Sequence, residues 1–188
     1  MKTCREIATS ALVKAHQTAL GATPAPEEAE AALGALQSIY DEFVSGGAFG
    51  RLENVLIDAA YEAGENERIT SDGGPFTVTL PTTVDDDVTG DTRSPRDYAL
   101  VVKADTSAAY LYSAPTAAWQ TLTGLTLDSN APLSERSADG LSCFLAARLA
   151  GDFNAEVSAH TIASAGRFLS LITMKADAPR TETATDYF

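Results

Sequence analysis

The chain has 188 residues, 45% of them hydrophobic and 21% charged, which suits one domain with a real core and excludes a disordered polymer. A formal net charge of -13 repels phosphate backbones and anionic membranes, so nucleic-acid binding is disfavoured. No apolar run reaches the length of a membrane span, and Lys2 is followed by no continuous apolar core, so neither a span nor a signal peptide is expected.

Thr3-Cys4-Arg5-Glu6 spells a capping box, and Ile7, Ala8, Ala11, Leu12, Ala15 and Ala19 follow at helical spacing until Leu20-Gly21. A helix over about 3–20 is predicted. The next one, about 26–45, carries the clearest pattern in the chain. Thr23-Pro24-Ala25-Pro26-Glu27-Glu28 offers a capping hydroxyl, prolines for a first turn and acids for the positive end of the dipole. Ala29, Ala32, Leu33, Leu36, Ile39, Tyr40 and Phe43 make one apolar face, and Ser45-Gly46-Gly47 suits a left-handed stop. The short connection makes the two helices antiparallel neighbours, and the alanines of the first allow close approach.

From about 51 to 126 the period changes towards strands. Val55-Leu56-Ile57 is a short apolar run, and Phe76-Thr77-Val78-Thr79-Leu80 alternates until Pro81 stops it. Strands are also predicted over 98–104, with Leu100 and Val102 on one side, at Tyr110-Leu111-Tyr112 and at Trp119-Gln120-Thr121-Leu122. These read as a small antiparallel sheet of four or five strands, with 82–95 a polar loop. Helix returns at about 134–151, capped by Ser134 or Ser137 and carrying Leu141, Phe144, Leu145 and Leu149. A fourth helix over about 155–174 is expected to start from Asn154 and to bury Ile162, Ala165, Phe168, Leu169 and Ile172. The expected fold is thus α+β and mainly α: a four-helix bundle, a small antiparallel β insertion between the second and third helices, and an extended C-terminal arm. Residues 1–175 form one domain and 176–188 a tail ending in Tyr187-Phe188. Two aromatics on a polar end suit a partner's pocket, or a terminus folded back on its own bundle.

The search for chemistry is largely negative. His160 lies opposite the Ile162/Leu169 stripe and His16 on a helix flank, and neither has a second donor at metal-ligand spacing. Cys4 and Cys143 could in principle pair, but Cys4 shares the stripe of Ile7, Ala8 and Ala11 whereas Cys143 points away from Leu141, Leu145 and Leu149, and buried or reduced thiols of a cytoplasmic product are the favoured reading. Gly46-Gly47-Ala48-Phe49-Gly50 lacks the lysine and preceding strand of a phosphate loop. Asp85-Asp86-Asp87 lacks the alternating spacing of a calcium loop and reads as solvated. Glu62, Glu65 and Glu67 offer paired carboxylates for acid/base work on a glycoside, or a charged connector with Arg68 as counter-ion. No catalytic residue, cofactor or metal is assigned, and the chain is not expected to be an enzyme.

Several segments resemble those of the head-to-tail adaptor family of tailed bacteriophages, the packaged-DNA stabilization or tail accessory type, found in phages and prophages of alphaproteobacteria. They are Thr23-Pro24 with Glu27-Glu28-Ala29, Ala32-Leu33 and Leu36; Arg51-Leu52-Glu53-Asn54-Val55 leading to Tyr61 and Arg68-Ile69; Pro95-Arg96-Asp97-Tyr98-Ala99-Leu100-Val101; and Ala131-Pro132-Leu133-Ser134 with Gly140-Leu141. The likeness spans most of residues 5–174.

The resemblance implies a ring of copies, usually twelve, beneath the dodecameric portal protein of the capsid. Such a ring extends the DNA channel, retains packaged DNA and docks the next neck or tail protein. The expected place is the neck of the virion, after assembly in the bacterial host cytoplasm, with no membrane involved. The C-terminal arm would reach the portal, with Tyr187 and Phe188 as portal-binding anchors, although the segment after Lys175 is short. An acidic lumen would let DNA pass without specific binding. The alternatives are another neck protein, for head completion or tail termination, and a glycan hydrolase using Glu62, Glu65 or Glu67.

Overall fold

The computed structural model describes residues 1–46, 48, 84–85, 92–95, 97–102 and 108–176. In order these form α1 (Cys4–Lys14), α2 (Pro26–Ser45), β1 (Val84–Asp85), β2 (Thr92–Arg93), β3 (Leu100–Val102), β4 (Ala109–Ser113), β5 (Ala118–Thr121), α3 (Ser134–Asp152) and α4 (Ala159–Ala176). The described chain is therefore mainly helical, of α+β class. The strand candidates at 55–57 and 76–80 lie outside the described residues.

α1 starts as its capping box requires. Thr3 N–H donates to Glu6 Oε2 at 2.8 Å, and Glu6 N–H returns to Thr3 Oγ1 at 3.2 Å. Two more orphan amides of the first turn, Cys4 and Arg5, donate to the carbonyls of Ser129 and Leu127, both at 2.8 Å. The helix ends at Lys14, short of the predicted residue 20. His16 takes a left-handed φ of 57°, and the amides of His16 and Gln17 close back on the carbonyls of Val13 and Leu12. That pair of bonds is a Schellman stop in which histidine stands where glycine is usual. Ala19 is exposed, so the apolar stripe had no large side chain to hold a further turn.

α2 has the predicted bounds and buries Ala29, Ala32, Leu36, Ile39, Tyr40 and Phe43. Its ends are built otherwise. The cap is Ala25 rather than the Thr23 hydroxyl, and only the backbone half of a capping box remains, Ala25 N–H to Glu28 Oε2 at 3.0 Å. At the far end Gly46 is right-handed, not left-handed, with φ -75° and ψ -3°. Glycine is needed there for space: a Cβ would lie 2.8 Å from the Glu42 carbonyl oxygen.

The strands form two small antiparallel sheets. β3, β4 and β5 run in that order, with Leu100 opposite Leu111 and Tyr112 opposite Trp119, whose rings meet edge-on at 5.3 Å. β1 and β2 form a separate ladder inside the stretch expected to be a plain loop. β3 begins at Leu100 rather than 98 because Tyr98 sits at φ 70°, outside strand geometry.

α3 packs against α1, α2 and α4, and its rows explain why. Leu141, Leu145 and Leu149 are buried, and so is Cys143, contrary to the expectation that it points away. Cover from α1, α2 and α4 reaches past the leucine stripe to Cys143. Phe144 stands between Phe43 of α2 and Phe168 of α4, at 5.6 and 6.3 Å between ring centroids. The helix breaks at Ser137, whose φ of -155° is not helical, and restarts as Gly140 N–H donates to Ser137 Oγ at 3.1 Å. Of the two expected caps, Ser137 is therefore the one used; Ser134 Oγ is taken by the Lys2 amide at 2.9 Å.

Asn154 ends α3 instead of starting α4. It lies at φ 50°, and the Ala155 amide closes back on the Ala150 carbonyl at 2.9 Å. α4 begins five residues on, where Ser158 Oγ accepts from Thr161 N–H at 3.1 Å. Its buried side is Thr161, Ser164, Ala165, Phe168 and Ile172, so of the five expected residues three are buried and Ile162 and Leu169 are not. Ile162 is 56% exposed, Leu169 36% and Leu171 55%.

Candidate functional site

Most of the residues singled out for chemistry lie outside the described residues, and the four side chains that are described, those of His16, His160, Cys4 and Cys143, form no common site. Glu62, Glu65, Glu67, Asp86, Asp87, Tyr187 and Phe188 lie outside the described residues, and Asp85 is described only as backbone of β1. His16 and His160 are both exposed, one at the stop of α1 and the other in the first turn of α4. Cys4 and Cys143 are free and buried. Burial pushes the Cys4 thiol up to about 11 and raises that of Cys143, where Lys14 opposes the shift. Among the described residues no three His, Cys, Asp or Glu side chains gather to hold a metal, and no helix is long and apolar enough to cross a membrane.

Two polar clusters invite a catalytic reading, but their contacts hold elements of the fold together. Lys14 Nζ donates to Ser10 Oγ and Ser142 Oγ, both at 2.8 Å, and meets Asp139 Oδ1 at 3.1 Å. A lysine beside two hydroxyls suggests an activated serine. Yet the same ammonium is held by a carboxylate, and Ser142 is buried and donates to the Asp139 carbonyl. The cluster ties α1 to α3. In the second, Glu135 Oε1 accepts from Ser113 Oγ at 2.8 Å and Gln120 Nε2 at 3.1 Å, joining α3 to the sheet, while Oε2 is buried without a partner.

Among the described residues, a groove of about 170 Å³ has the shape of a binding surface, lined by Tyr98, Leu133, Arg136, Ser137, Phe168, Leu171 and Ile172. Its floor is apolar. Three of its lining residues depart from ordinary backbone geometry: Tyr98 at φ 70°, Leu133 at φ 68°, and Ser137 at the break in α3. Bulky side chains at positive φ cost free energy and persist only where packing holds them, and such strain collects at functional sites. Arg136 lies over the Tyr98 ring, 5.5 Å from its centroid, and pairs with Asp97, whose other oxygen accepts from the Ala114 amide at 3.0 Å. Burial pushes the Tyr98 phenol up to about 12 despite the opposing guanidinium.

Charge is unevenly spread over the helices. The sequence of α4 carries His160, Arg167 and Lys175 and no acid, in a chain of net charge -13. α2 carries Glu27, Glu28, Glu30, Asp41 and Glu42 and no base. Arg5, Lys14, Arg136 and Arg148 each meet a carboxylate, respectively Asp128, Asp139, Asp97 and Glu42. Arg167 instead donates to Ser164 Oγ at 3.1 Å and has no carboxylate partner among the described residues.

Sequence reasoning did not find this groove. Leu133 lies between two elements and Leu171 off the apolar stripe of α4, so neither shows in a periodicity. Compared with family models and with curated proteins, the chain matches none.

Proposed function

We propose that this chain is a structural protein of the phage neck, a head-to-tail adaptor that joins copies of itself in a ring under the portal. In this reading the four helices form a bundle with the strand region inserted between the second and third, and 176–188 is the arm that meets the portal through Tyr187 and Phe188. Glu62, Glu65 and Glu67 have no catalytic part in it.

The observation that carries the reading is the apolar surface that α4 leaves uncovered. Ile162 and Leu169 stand one heptad apart on one flank and Leu171 on the other, more than the chain's own packing covers. The acidity supports it as well, because a conduit that repels phosphate lets DNA slide. Both features suit a protein completed by neighbours.

The test is to mix the purified protein with its cognate portal ring and look by electron microscopy. Closed rings seated on the portal are expected, while the protein alone should run as a monomer in size-exclusion chromatography with light scattering. A chain that stays monomeric beside its portal at every salt and concentration tried ends the proposal.

A further inference from the structure

We infer that neighbouring copies of this chain meet head to tail, Leu20 of one copy entering the groove between Tyr98, Leu133 and Leu171 of the next. The inference deepens the ring reading, on which it rests for its partner, by naming the two surfaces that touch.

Leu20 is 91% exposed, well beyond Ile162, Leu171 and Leu169. It is also held in place. The Ala22 amide donates to the Ala19 carbonyl at 3.0 Å, and Gly21 at φ 83° fills the position of a type II turn that needs positive φ. Leu20 therefore stands at the first corner of a hydrogen-bonded turn, just beyond the Schellman stop at His16. An apolar side chain presented in this way gains little from its own chain.

The groove is its counterpart in shape and in charge. A cavity of about 150 Å³ lined by aliphatic and aromatic side chains accepts a benzene ring, so a groove of about 170 Å³ with such a lining has room for one leucine side chain. The end of the helix hairpin that bears Leu20 also bears Glu27 and Glu30, both exposed; the Glu28 carboxylate is already engaged with Ala25. The groove is lined by Arg136, whose carboxylate partner Asp97 is in place, and Arg167 lies one helical turn before the lining residue Leu171, with no carboxylate partner among the described residues. An acidic tip with an apolar knob thus faces a basic flank with an apolar floor. Between two copies of so acidic a chain, contact is favoured only where the charges differ in this way. Since knob and groove are different surfaces, the contact is heterologous, and it propagates around a ring or along a filament instead of closing a two-fold dimer.

The test uses Leu20→Cys and Leu171→Cys as two separate full-length variants; Cys4 and Cys143 are buried and should not compete. Mixed under mild oxidation, with portal rings and also concentrated alone, they are expected to give a disulfide-linked dimer that neither variant gives by itself. Leu20→Glu should lower ring yield at least about tenfold, the loss of one buried anchor, with an unchanged melting curve. Arg167→Glu should weaken rings, and Glu27→Arg in the same chain should restore them. Normal rings without the mixed crosslink, or a Leu20→Cys variant that links to itself, overturn the inference and leave the ring reading standing. A mixed crosslink without rings supports the contact and sinks the ring. Neither rings nor crosslink removes both.

Discussion

The Tyr40 hydroxyl donates to the Pro132 carbonyl at 2.7 Å, across 92 residues of sequence and wholly inside the protein. It fixes the C-terminal half of α2 against the turn that leads into α3. The same turn holds Leu133 at positive φ and so shapes the groove. Tyr40→Phe keeps the ring and leaves a buried carbonyl without its donor. A loss of about 1–3 kcal/mol in stability is expected, read as a lower urea midpoint at unchanged slope.

Base should unfold this protein through groups that stay protonated when buried. Burial raises Cys4 from 9.0 to about 11, Tyr98 from 10.0 to about 12 and Tyr40 well above 10.0. Each folded value lies above the unfolded one, so the unfolded chain gives up its protons first. The stabilisation is intact below pH 9 and declines as pH rises, over 9 to 11 for Cys4, 10 to 12 for Tyr98 and from 10 upward for Tyr40. Urea midpoints measured across this range should fall steadily above pH 9. Cys4→Ala should flatten the fall between pH 9 and 11, and Tyr98→Phe that between 10 and 12; slopes equal to wild type would refute the assignment.

The cap of α1 is worth testing because it is also where the N-terminus meets the 127–134 segment. Thr3→Ala removes the acceptor for Glu6 N–H and breaks the reciprocal box. A cost of about 1 kcal/mol is expected. The Ser129 and Leu127 carbonyls still take the Cys4 and Arg5 amides, so the helix should shorten little. Thermal melting and helical circular dichroism measure the two parts separately.

What the sequence made legible follows from how local each signal is. The buried face of α2 was readable almost residue by residue, because Ala29, Leu36, Ile39 and Phe43 repeat at helical steps and Pro26 marks the first turn. Helix ends were not. His16 and Asn154 both take the left-handed position that glycine usually fills, and only the closing bonds to Leu12 and Ala150 reveal them as stops. The groove was hidden for a deeper reason. Tyr98, Leu133, Phe168 and Leu171 come from three parts of the chain, united by the packing of α3 against α4 and by Arg136 lying over the Tyr98 ring. No spacing encodes that.

Two glycines in helices should respond to the same substitution with opposite sign. At Gly140 an added Cβ would lie 2.4 Å from Ser137 Oγ and 2.9 Å from Phe168 Cβ, since the missing side chain is what lets α4 approach the break in α3. Gly140→Ala should therefore cost about 1–3 kcal/mol, the usual penalty of overpacking, and distort the groove whose walls are Ser137 and Phe168. At Gly34, exposed in the middle of α2, a Cβ meets nothing within 4 Å. Gly34→Ala should gain about 0.4–1 kcal/mol by narrowing the unfolded ensemble. Denaturant curves on the pair decide it. Equal effects at both sites would mean that α4 does not press on Gly140, and that the close helix contact forming one wall of the groove is absent in solution.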